Sequence, residues 1–372
     1  MKTSIVIPMW NEEAWVEQAY QRIKRAITEN NIDAQIVFAT DGCTDRTVEI
    51  IEGIRQRDSS VILFNHPTKL GRGRALKRAF KKVDTEYIVY MDSDLATDLK
   101  HLPEVIDYLD SGAHIVTGSR LMKGSECERS RKRNTFSRVY NFLARFLFRS
   151  KMHDHQCGFK GFNRTKIMEV LDDVKSNGWF WDAEILLRGQ KEGLEVVEFP
   201  VSWSDREDES SKVNLWKDAR TMGVEMLQLR LELLPKNLKQ MISFAGVGVS
   251  NTLISLAVLW ILENTIGRGD WGYYIAYMAG IINSFILNRR FTFNEKGVSK
   301  RTFGQFAGFI AMYLAAMVIY SESARFLEVA LGFYYLFAAI ASTAIEFIFT
   351  FSISKLVIFR KRNGDDDEPV VS

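Results

Sequence analysis

The first 120 residues alternate between short apolar runs and longer stretches in which apolar residues recur every three or four positions. Runs of the first kind predict buried strands, and stretches of the second kind predict amphipathic helices. The predicted strands are 4–8, 35–39, 61–65, 87–91 and 115–118, and helical spacing marks 48–57, 74–83 and the region through Tyr20 and Ile27. This alternation indicates an α/β fold with a mostly parallel sheet and helices on both faces. Such sheets bind ligands beyond the carboxyl ends of their strands.

The pattern changes after residue 240, where charged residues become rare and long apolar stretches follow one another. The four stretches are 242–262, 271–288, 303–320 and 331–359. Each is near the roughly 20 residues that a membrane-spanning helix needs, although the second is marginal in length. A soluble helical core is the alternative, but its helices would carry polar faces that these stretches lack. The sequence therefore predicts a membrane domain of four helices.

The basic residues of this half predict its orientation. Lys and Arg gather between the second and third stretches and after the fourth, whereas the other two connections contain few. Because positively charged loops stay on the cytosolic side, both termini are expected in the cytosol. The chain begins with a short apolar run that soon meets Asn11, Glu12 and Glu13. We therefore expect no signal peptide and a cytosolic N-terminal domain.

These patterns divide the chain into four segments. We expect a cytosolic domain in 1–213, an interfacial helix or linker in 214–240, the four-span domain in 241–362 and an acidic tail in 363–372. Within the first domain, 130–150 interleaves Arg and Lys with aromatic and aliphatic residues, which suits a helix lying among lipid headgroups. For both helical segments the alternative is an ordinary amphipathic helix packed on the sheet.

Composition narrows the possible functions. The 372-residue chain has a formal net charge of +3, which is too small to indicate nucleic-acid binding. Its three cysteines, Cys43, Cys127 and Cys157, lie far apart without the spacing of metal ligands. This usage fits a reducing compartment, so we expect neither a disulfide nor a zinc site.

Two carboxylates follow the predicted strand 87–91 directly, in the sequence Asp92-Ser93-Asp94. Residues i and i+2 of an extended segment point the same way, so both carboxylates can converge on one hard cation. A Mg²⁺ or Mn²⁺ ion held there could bridge a diphosphate and stabilise its departure. Similar pairs occur in many surface turns, but the position after a buried strand favours a metal site.

Several motifs resemble those of family 2 inverting glycosyltransferases, in order and in spacing. They are Val6-Ile7-Pro8, Asn11-Glu12, Asp41-Gly42 with Asp45, the turn from Lys69 to Arg74, Asp92-Ser93-Asp94 and Gly118-Ser119-Arg120. The segments 154–162 (DHQCGFKGF), 181–184 (WDAE) and 211–212 resemble the dolichyl-phosphate glucosyltransferases, with the mannose synthases as close relatives. In the membrane half, 285–293 (FILNRRFTF) resembles a GtrA-like four-span domain. The resemblance implies a GT-A-type, Rossmann-like sheet domain followed by interfacial helices and a four-helix transmembrane domain.

The resemblance also implies a donor-nucleotide site. Its residues would be Pro8, Trp10, Glu12, Asp41, Lys69, Arg72 and Asp92. Lys69 and Arg72, with Arg74 of the same turn, would face phosphate oxygens. Pro8 and Trp10 could equally terminate a strand and pack in a core, and the basic turn could be a solvated one. Thr40 departs from the family pattern, which commonly has an aspartate there, so the base selectivity stays open.

For the acceptor, the resemblance implies a lipid phosphate, whose oxygen is already ionised at neutral pH. Attack on the anomeric carbon then depends on positioning and on cations more than on a strong base. The candidate phosphate-binding residues are Arg120, Arg129, Arg133, Arg206, Ser211 and Lys212, and Arg120 is also a catalytic candidate. Each cation could instead be a surface charge, but their position beside the predicted interfacial helices favours phosphate binding.

Two further carboxylates and a loop complete the predicted site. Asp182 and Glu184 lie on a predicted helix, near a position where many family 2 enzymes carry the base for a hydroxyl acceptor. In this chain one of them could instead order the sugar or an arginine. The remaining catalytic candidates are Asp92 and Asp94, and the floor beneath sugar and acceptor would be formed by Gln156, Gly158 and Phe159.

The sequence therefore predicts a metal-dependent transferase that moves one hexose from a nucleotide sugar to a polyprenyl phosphate such as dolichyl phosphate, with inversion. The resemblance favours UDP-glucose as the donor, with GDP-mannose next, and makes the lipid bilayer a further partner. One alternative is a GtrA-like carrier that helps to flip a lipid-linked sugar. Another is a processive polysaccharide synthase, but the Gln-x-x-Arg-Trp motif of those enzymes is absent from the sequence. A non-catalytic receptor would not need both Asp92 and Asp94.

Overall fold

The computed structural model describes residues 1–128, 131–204, 215–265, 271–295 and 300–360. The chain forms two compact units, Met1–Leu233 and Leu234–Ser372. The first unit carries the α/β fold that the alternating pattern predicts. The second is built from helices.

The first unit follows the predicted alternation closely. Its strands are β1 Thr3–Met9, β2 Ala34–Thr40, β3 Val61–Phe64, β4 Tyr87–Met91, β5 Ile115–Ser119, β6 Glu126–Glu128, β7 Phe159–Asn163, β8 Val196–Pro200 and β9 Ser202–Ser204. Its helices are α1 Val16–Glu29, α2 Thr47–Arg57, α3 Arg72–Lys82, α4 Leu102–Asp110, α5 Arg131–Phe148, α6 Arg164–Leu171, α7 Trp181–Lys191 and α8 Leu215–Glu232.

Seven strands form one sheet in the order β3-β2-β1-β4-β7-β5-β8. β7 is antiparallel to both of its neighbours, and the other pairs of this sheet are parallel. β6 and β9 form a separate parallel pair. β2 lies on one side of β1 and β4 on the other, so the strand order reverses at β1. The carboxyl ends of β1 and β4 therefore border the crevice where sheets of this kind bind ligands.

The central strand β4 shows how the core positions the site. Val89 packs with α1, α2 and α4 on one face of the sheet. Ile88 and Tyr90 pack with α3, α6 and α7 on the other face. Because both faces of β4 are covered, the strand is apolar throughout, and carboxylates appear only after Met91. Asp92 directly follows β4 and is thus the first residue after the strand to lie at the crevice.

α5 and α8 lie outside these two layers and pack on α7. Their shared core includes Ala144 of α5, Met226 of α8 and Leu187 of α7. Large apolar side chains remain exposed on the two helices, namely Val139, Phe142, Leu143 and Phe146 on α5 and Val224, Leu227 and Leu231 on α8. These helices occupy the two segments that the sequence predicts to be interfacial.

The described residues of the second unit form four helices, and single π-helical turns continue three of them. They are α9 Lys236–Thr265, α10 Trp271–Leu287 with the turn Asn288–Thr292, α11 Lys300–Arg325 with Phe326–Ala330, and α12 Tyr335–Ile353 with Ser354–Ile358. A phenylalanine-rich cluster forms their core, including Phe244, Phe285, Phe293, Phe309, Phe351 and Phe359. The FILNRRFTF segment contributes two of these rings.

Within the described residues, three helices are long and apolar enough to cross a membrane. They are 236–265, 301–330 and 335–358. The prediction of four spans is therefore more than length and composition support. α10 has 17 residues, which gives about 25 Å of helix against the roughly 30 Å of a hydrocarbon core.

Candidate active site

The predicted carboxylates lie at the crevice beside β1 and β4. The Asp92 N–H donates to the Gly158 carbonyl at 3.0 Å. This hydrogen bond connects the loop after β4 to the residue just before β7. Gly158 passes so close to Asp92 that a Cβ atom on it would lie 1.7 Å from Asp92 Oδ2. This close approach explains why glycine stands in the DHQCGFKGF segment at this position.

The loop after β1 meets the same carboxylate segment. Ser93 Oγ donates to Glu12 Oε1 at 3.3 Å, and Trp15 Nε1 donates to the Ser93 carbonyl at 2.7 Å. The structure therefore brings Glu12 next to Asp92-Ser93-Asp94, as a shared nucleotide and metal site would require. Pro8 is buried within β1, whereas Trp10 is exposed.

Asp41 organises the basic turn that precedes α3. Its Oδ2 accepts hydrogen bonds from the backbone N–H groups of Leu70 and Gly71 at 2.9 and 2.6 Å. Next to this turn, the Lys69 ammonium lies 2.9 Å from the centroid of the Trp10 ring. Thr40, which departs from the family pattern, lies just before Asp41, and its hydroxyl donates to Asn65 Oδ1 at 2.7 Å.

Arg72 bridges two of the predicted catalytic carboxylates. Its Nη2 donates to Asp92 Oδ1 at 2.5 Å and its Nη1 donates to Asp182 Oδ2 at 2.6 Å. The Tyr90 hydroxyl also donates to Asp92 Oδ1, at 3.0 Å. The guanidinium lies about 5 Å from the ring centroids of Tyr90 and Trp179, which fixes its plane by cation–π attraction.

Lys160 belongs to the DHQCGFKGF segment that the sequence predicts to form the floor of the site, but sequence reasoning missed its ion pair. Its side chain is fully buried, and its Nζ lies 3.1 Å from Asp182 Oδ1 and also donates to the Cys157 carbonyl. A charged residue is rarely buried unless it is paired. The available signal was a lysine inside the apolar strand β7, between Phe159 and Phe162. Arg72, Lys160, Asp92 and Asp182 thus form one connected ionic network.

Arg120, a predicted phosphate ligand, is engaged by Asp154 in a buried ion pair. Its Nε and Nη2 donate to the two carboxylate oxygens at 2.7 and 3.0 Å. Burial opposes the charge of both groups, but the pairing outweighs it. The pKa of Arg120 is therefore raised, and the pKa of Asp154 is held well below its usual range. This pair braces the loop before β7 against the end of β5.

The two residues after Asp154 attach the same loop to α5 and α8. Asn141 Oδ1 on α5 lies 2.7 Å from His155 Nδ1 and also accepts from its backbone N–H at 2.8 Å. Burial lowers the pKa of His155 to about 4, so the ring is neutral at pH 7. Gln156 Nε2 lies 3.6 Å from the sulfur of Met222 on α8. The DHQ triplet therefore connects the site loop to three separate elements.

Other predicted residues have supporting positions. Both oxygens of Glu184 accept from the Lys175 and Ser176 N–H groups or from Arg188 Nε, so this buried carboxylate braces a loop. Phe159 is fully buried in the sheet core. Alternate residues of β7 face opposite sides of the sheet, and Phe159 faces the core with α1, α2 and α4. Phe159 therefore supports the site through packing and does not line its surface. Burial raises the pKa of the Cys157 thiol to about 11.

The acceptor-binding candidates are only partly described. Arg133 lies on α5 and is half-buried. Arg129, Arg206, Ser211 and Lys212 lie outside the described residues.

The two carboxylates after β4 fit a magnesium or manganese ion that is shared with a substrate. Among the described residues, no group of three or more His, Cys, Asp or Glu side chains could hold a metal ion. Mg²⁺ typically needs only one or two protein carboxylates, because water and substrate phosphates complete its shell. Asp92 and Asp94 line the same small pocket with Gly158 and Trp203, which suits this limited donor set.

Comparison with known families agrees with this arrangement. Residues 4–171 match the family Glycosyl transferase family 2, and residues 243–359 match the GtrA/DPMS transmembrane domain. The chain therefore joins a family 2 glycosyltransferase domain to a GtrA/DPMS transmembrane domain. Both parts of the resemblance seen in the sequence are confirmed.

Individual relatives extend the comparison. The chain is 38% identical over 267 residues to glycosyltransferase AglD of Haloferax volcanii, a match that covers 70% of this chain and 42% of AglD. It is 25% identical to a dolichol-phosphate mannosyltransferase of Pyrococcus furiosus, covering 96% of this chain and 99% of the relative. It is 26% identical to the dolichyl-phosphate beta-glucosyltransferase ALG5C of Trichomonas vaginalis, covering 62% and 71%. The chain thus spans less than half the length of AglD and nearly all of the mannosyltransferase.

Proposed function

We propose that the protein transfers one hexose from a nucleotide sugar to a polyprenyl phosphate, with inversion at the anomeric carbon. One observation carries this proposal. The DHQ triplet connects a carboxylate site at the crevice of a family 2 domain to two helices with exposed apolar side chains. The same chain has helices long and apolar enough to cross a membrane. The names of the Pyrococcus and Trichomonas relatives support the same class of reaction.

On this proposal, the donor nucleotide lies against the loop after β1 and the basic turn before α3. Glu12 reaches the ribose or base, while Lys69 and Arg72 face the diphosphate. The turn precedes the N-terminus of α3, where backbone N–H groups favour an anion. Asp92 and Asp94 would hold a divalent cation, which neutralises charge on the departing nucleoside diphosphate.

The acceptor would approach along the outer sides of α5 and α8. Phe142 and Phe146 of α5 have 67% and 73% of their surface exposed. The exposed Arg138, Arg145 and Arg149 belong to the same helix or follow it directly. Exposed aromatic residues beside arginines suit a surface of lipid headgroups, where the rings enter the acyl boundary and the cations meet phosphates. A polyprenyl phosphate in that layer would present its phosphate to Arg133 and to the loop before β7.

The reaction needs no strong base, because the attacking phosphate oxygen is already ionised. The geometry supports this point, since Asp182 is paired with Arg72 and Lys160, and the oxygens of Glu184 are engaged by backbone N–H groups and Arg188. We assign Asp182 to orienting Arg72 and Glu184 to bracing the loop. The ion pair between Arg120 and Asp154 would fix the position of the loop before β7 on the acceptor side of the site.

For the hexose, we propose glucose delivered from UDP-glucose, with mannose from GDP-mannose as the second candidate. The DHQCGFKGF segment supports glucose through its resemblance to the dolichyl-phosphate glucosyltransferases. The relative that matches nearly the whole chain carries the name of a mannosyltransferase, which keeps the second donor in the experiment.

The test measures transfer of labelled hexose into chloroform-extractable lipid. Purified full-length protein receives dolichyl phosphate, Mg²⁺ or Mn²⁺, and either UDP-[¹⁴C]glucose or GDP-[¹⁴C]mannose. We expect label from UDP-glucose, loss of label with EDTA, and recovery when the metal is restored. Label from GDP-mannose alone would identify the transferred hexose as mannose and not glucose. If neither donor gives label, both proposed donors are wrong.

A matched pair of variants locates the activity. Asp94→Ala removes a proposed metal ligand and should abolish transfer while the protein still folds into membranes. Asp84→Ala removes a carboxylate whose side chain is 99% exposed and should keep transfer near the wild-type level. Full activity of Asp94→Ala with added metal would refute the assigned site.

A further inference from the structure

One carboxylate oxygen of Asp92 has no capacity left for a cation. Its Oδ1 accepts from both Arg72 Nη2 and the Tyr90 hydroxyl, at 2.5 and 3.0 Å. A carboxylate oxygen offers about two lone-pair sites, so this oxygen is fully used. Its Oδ2 lies against Gly158, which covers one side of this second oxygen. A cation that binds Asp92 through Oδ1 must therefore displace Arg72.

The charges of the network lead to the same conclusion. Arg72 and Lys160 supply two positive charges, and Asp92 and Asp182 supply two negative charges, so the set is balanced. Asp94, the second proposed metal ligand, adds one negative charge, so a divalent cation alone would leave one uncompensated positive charge at a partly buried site, which is costly. The diphosphate of a nucleotide sugar would bring the negative charge that restores the balance.

Arg72 has a second anchor that allows it to leave Asp92 without leaving the site. Its Nη1 stays bound to Asp182, which Lys160 also holds, and Tyr90 and Trp179 flank its plane. Arg72 is also the first residue of α3, at the helix end that favours anions. Its Nη2 can therefore turn from Asp92 to a phosphate oxygen by a small side-chain movement.

We propose that Arg72 is the internal counterion of Asp92 in the empty enzyme and that it competes with the divalent cation, so that tight cation binding requires the nucleotide diphosphate. The inference rests on the proposed function, because it concerns the same metal and donor site. It makes nucleotide and cation bind cooperatively, with the nucleotide taking Arg72 and the cation taking Asp92. An empty site then retains its carboxylate geometry without a metal ion.

The experiment measures Mn²⁺ affinity directly, by the electron paramagnetic resonance signal of free Mn²⁺. Full-length protein in detergent is titrated with Mn²⁺ alone, with UDP and with GDP. In the wild type we expect one of the nucleotides to tighten Mn²⁺ binding about tenfold or more, as expected for release of a charged hydrogen bond. In Arg72→Gln, Mn²⁺ alone should bind about tenfold more tightly than in the wild type, and the nucleotide effect should shrink to about threefold or less.

Lys82→Gln is the matched control, because Lys82 lies at the far end of α3, is exposed and carries the same charge. It should keep the wild-type Mn²⁺ affinity and nucleotide effect. Arg72→Lys preserves the charge with a shorter reach and should fall between the wild type and Arg72→Gln, which guards against a fold defect in the glutamine variant. Equal Mn²⁺ affinity in Arg72→Gln and the wild type, with the nucleotide effect intact, would overturn the inference alone. Absence of Mn²⁺ binding in the wild type with either nucleotide would overturn the metal site itself.

Discussion

At the scale of single residues, Gly158 is the position where one atom decides the geometry of the site. A Cβ atom there would lie 1.7 Å from Asp92 Oδ2, so Gly158→Ala must displace either the carboxylate or the loop before β7. A shift of about 1 Å at a reacting centre can reduce a rate roughly a hundredfold. We expect hexose transfer by Gly158→Ala to fall by about that factor in the lipid-extraction assay.

Gly53→Ala controls for the general effect of replacing glycine. Gly53 lies in α2 with no atom within 4 Å of the added Cβ, so alanine should leave transfer unchanged and stabilise the protein by about 0.5–1 kcal/mol. Thermal unfolding of both variants separates a displaced carboxylate from a damaged fold. Wild-type transfer by Gly158→Ala would show that the contact with Asp92 is not required.

His155 makes the first unit sensitive to acid. Its pKa is about 4 in the folded protein, against about 6.5 in an unfolded chain. The unfolded state therefore binds the proton more readily, and the stabilisation by neutral His155 is present above pH 6.5 and is lost as the pH falls towards 4. The loss amounts to about 3 kcal/mol. We expect the unfolding temperature to drop between pH 7 and pH 4.5, and to drop less in His155→Gln. An equal drop in both proteins would contradict this prediction.

The sequence identified most of these residues but not their pairings. Asp92 and Asp94 were predicted from their position after an apolar strand, because that signal is local. Arg72 was predicted as a phosphate ligand, and its bridge between Asp92 and Asp182 could not be seen because the residues lie 20 and 110 positions away along the chain. The ion pair of Lys160 was not predicted for the same reason, since its partner Asp182 is on another element.

At the scale of elements, α5 and α8 pair a packed inner side with an exposed apolar outer side. We expect the double substitution Phe142→Glu and Phe146→Glu to raise the KM for dolichyl phosphate about tenfold or more, because a buried phenylalanine contributes about 1.5–3 kcal/mol. Mn²⁺ and nucleotide affinities should stay unchanged. The measurement compares the KM for dolichyl phosphate in lipid bicelles with the KM for a short, water-soluble prenyl phosphate. The substitutions should change the second value little.

Gln21→Glu with Thr28→Glu is the control for added charge, because this pair also adds two negative charges and both residues are exposed on α1, away from the proposed lipid surface. This pair should leave both KM values near those of the wild type. An unchanged KM for dolichyl phosphate in the α5 variant would remove α5 from acceptor binding.

The elements themselves were largely predictable up to β5. Each predicted strand and helix there agrees with the structure to within a few residues, because apolar periodicity marks buried faces in an alternating α/β chain. The antiparallel insertion of β7 between β4 and β5 was not predicted. Sequence periodicity reports which side of a strand is buried, but it does not report which strands become neighbours.

At the scale of the whole molecule, the number of membrane crossings depends on α10. Its contacts with α9 run antiparallel along its length. Thr292 Oγ1 lies 2.9 Å from Ser243 Oγ, Asn283 Nδ2 lies 3.4 Å from Asn251 Oδ1, and Gly280 faces Ser255. α10 with its π-helical turn therefore runs beside α9 from Ser243 to Leu259, because Gly272 at the start of α10 faces Leu259. A short helix can span a bilayer that thins locally, at a modest energetic cost.

We therefore predict four crossings, with the segment after α10 and the end of α12 on the cytosolic side. Basic residues support this orientation, since Arg289, Arg290 and Arg301 flank the first of these places and Lys355 and Arg360 mark the second. Single cysteines at Trp271, Asn294, Gly332 and Arg360, in a chain whose three native cysteines are replaced by serine, can be tested with a membrane-impermeant maleimide in sealed, right-side-out vesicles. Cysteines at 271 and 332 should react from outside, and those at 294 and 360 only after permeabilisation. If 271 and 294 react from the same side while 332 and 360 react from opposite sides, α10 is re-entrant and the protein crosses the membrane three times.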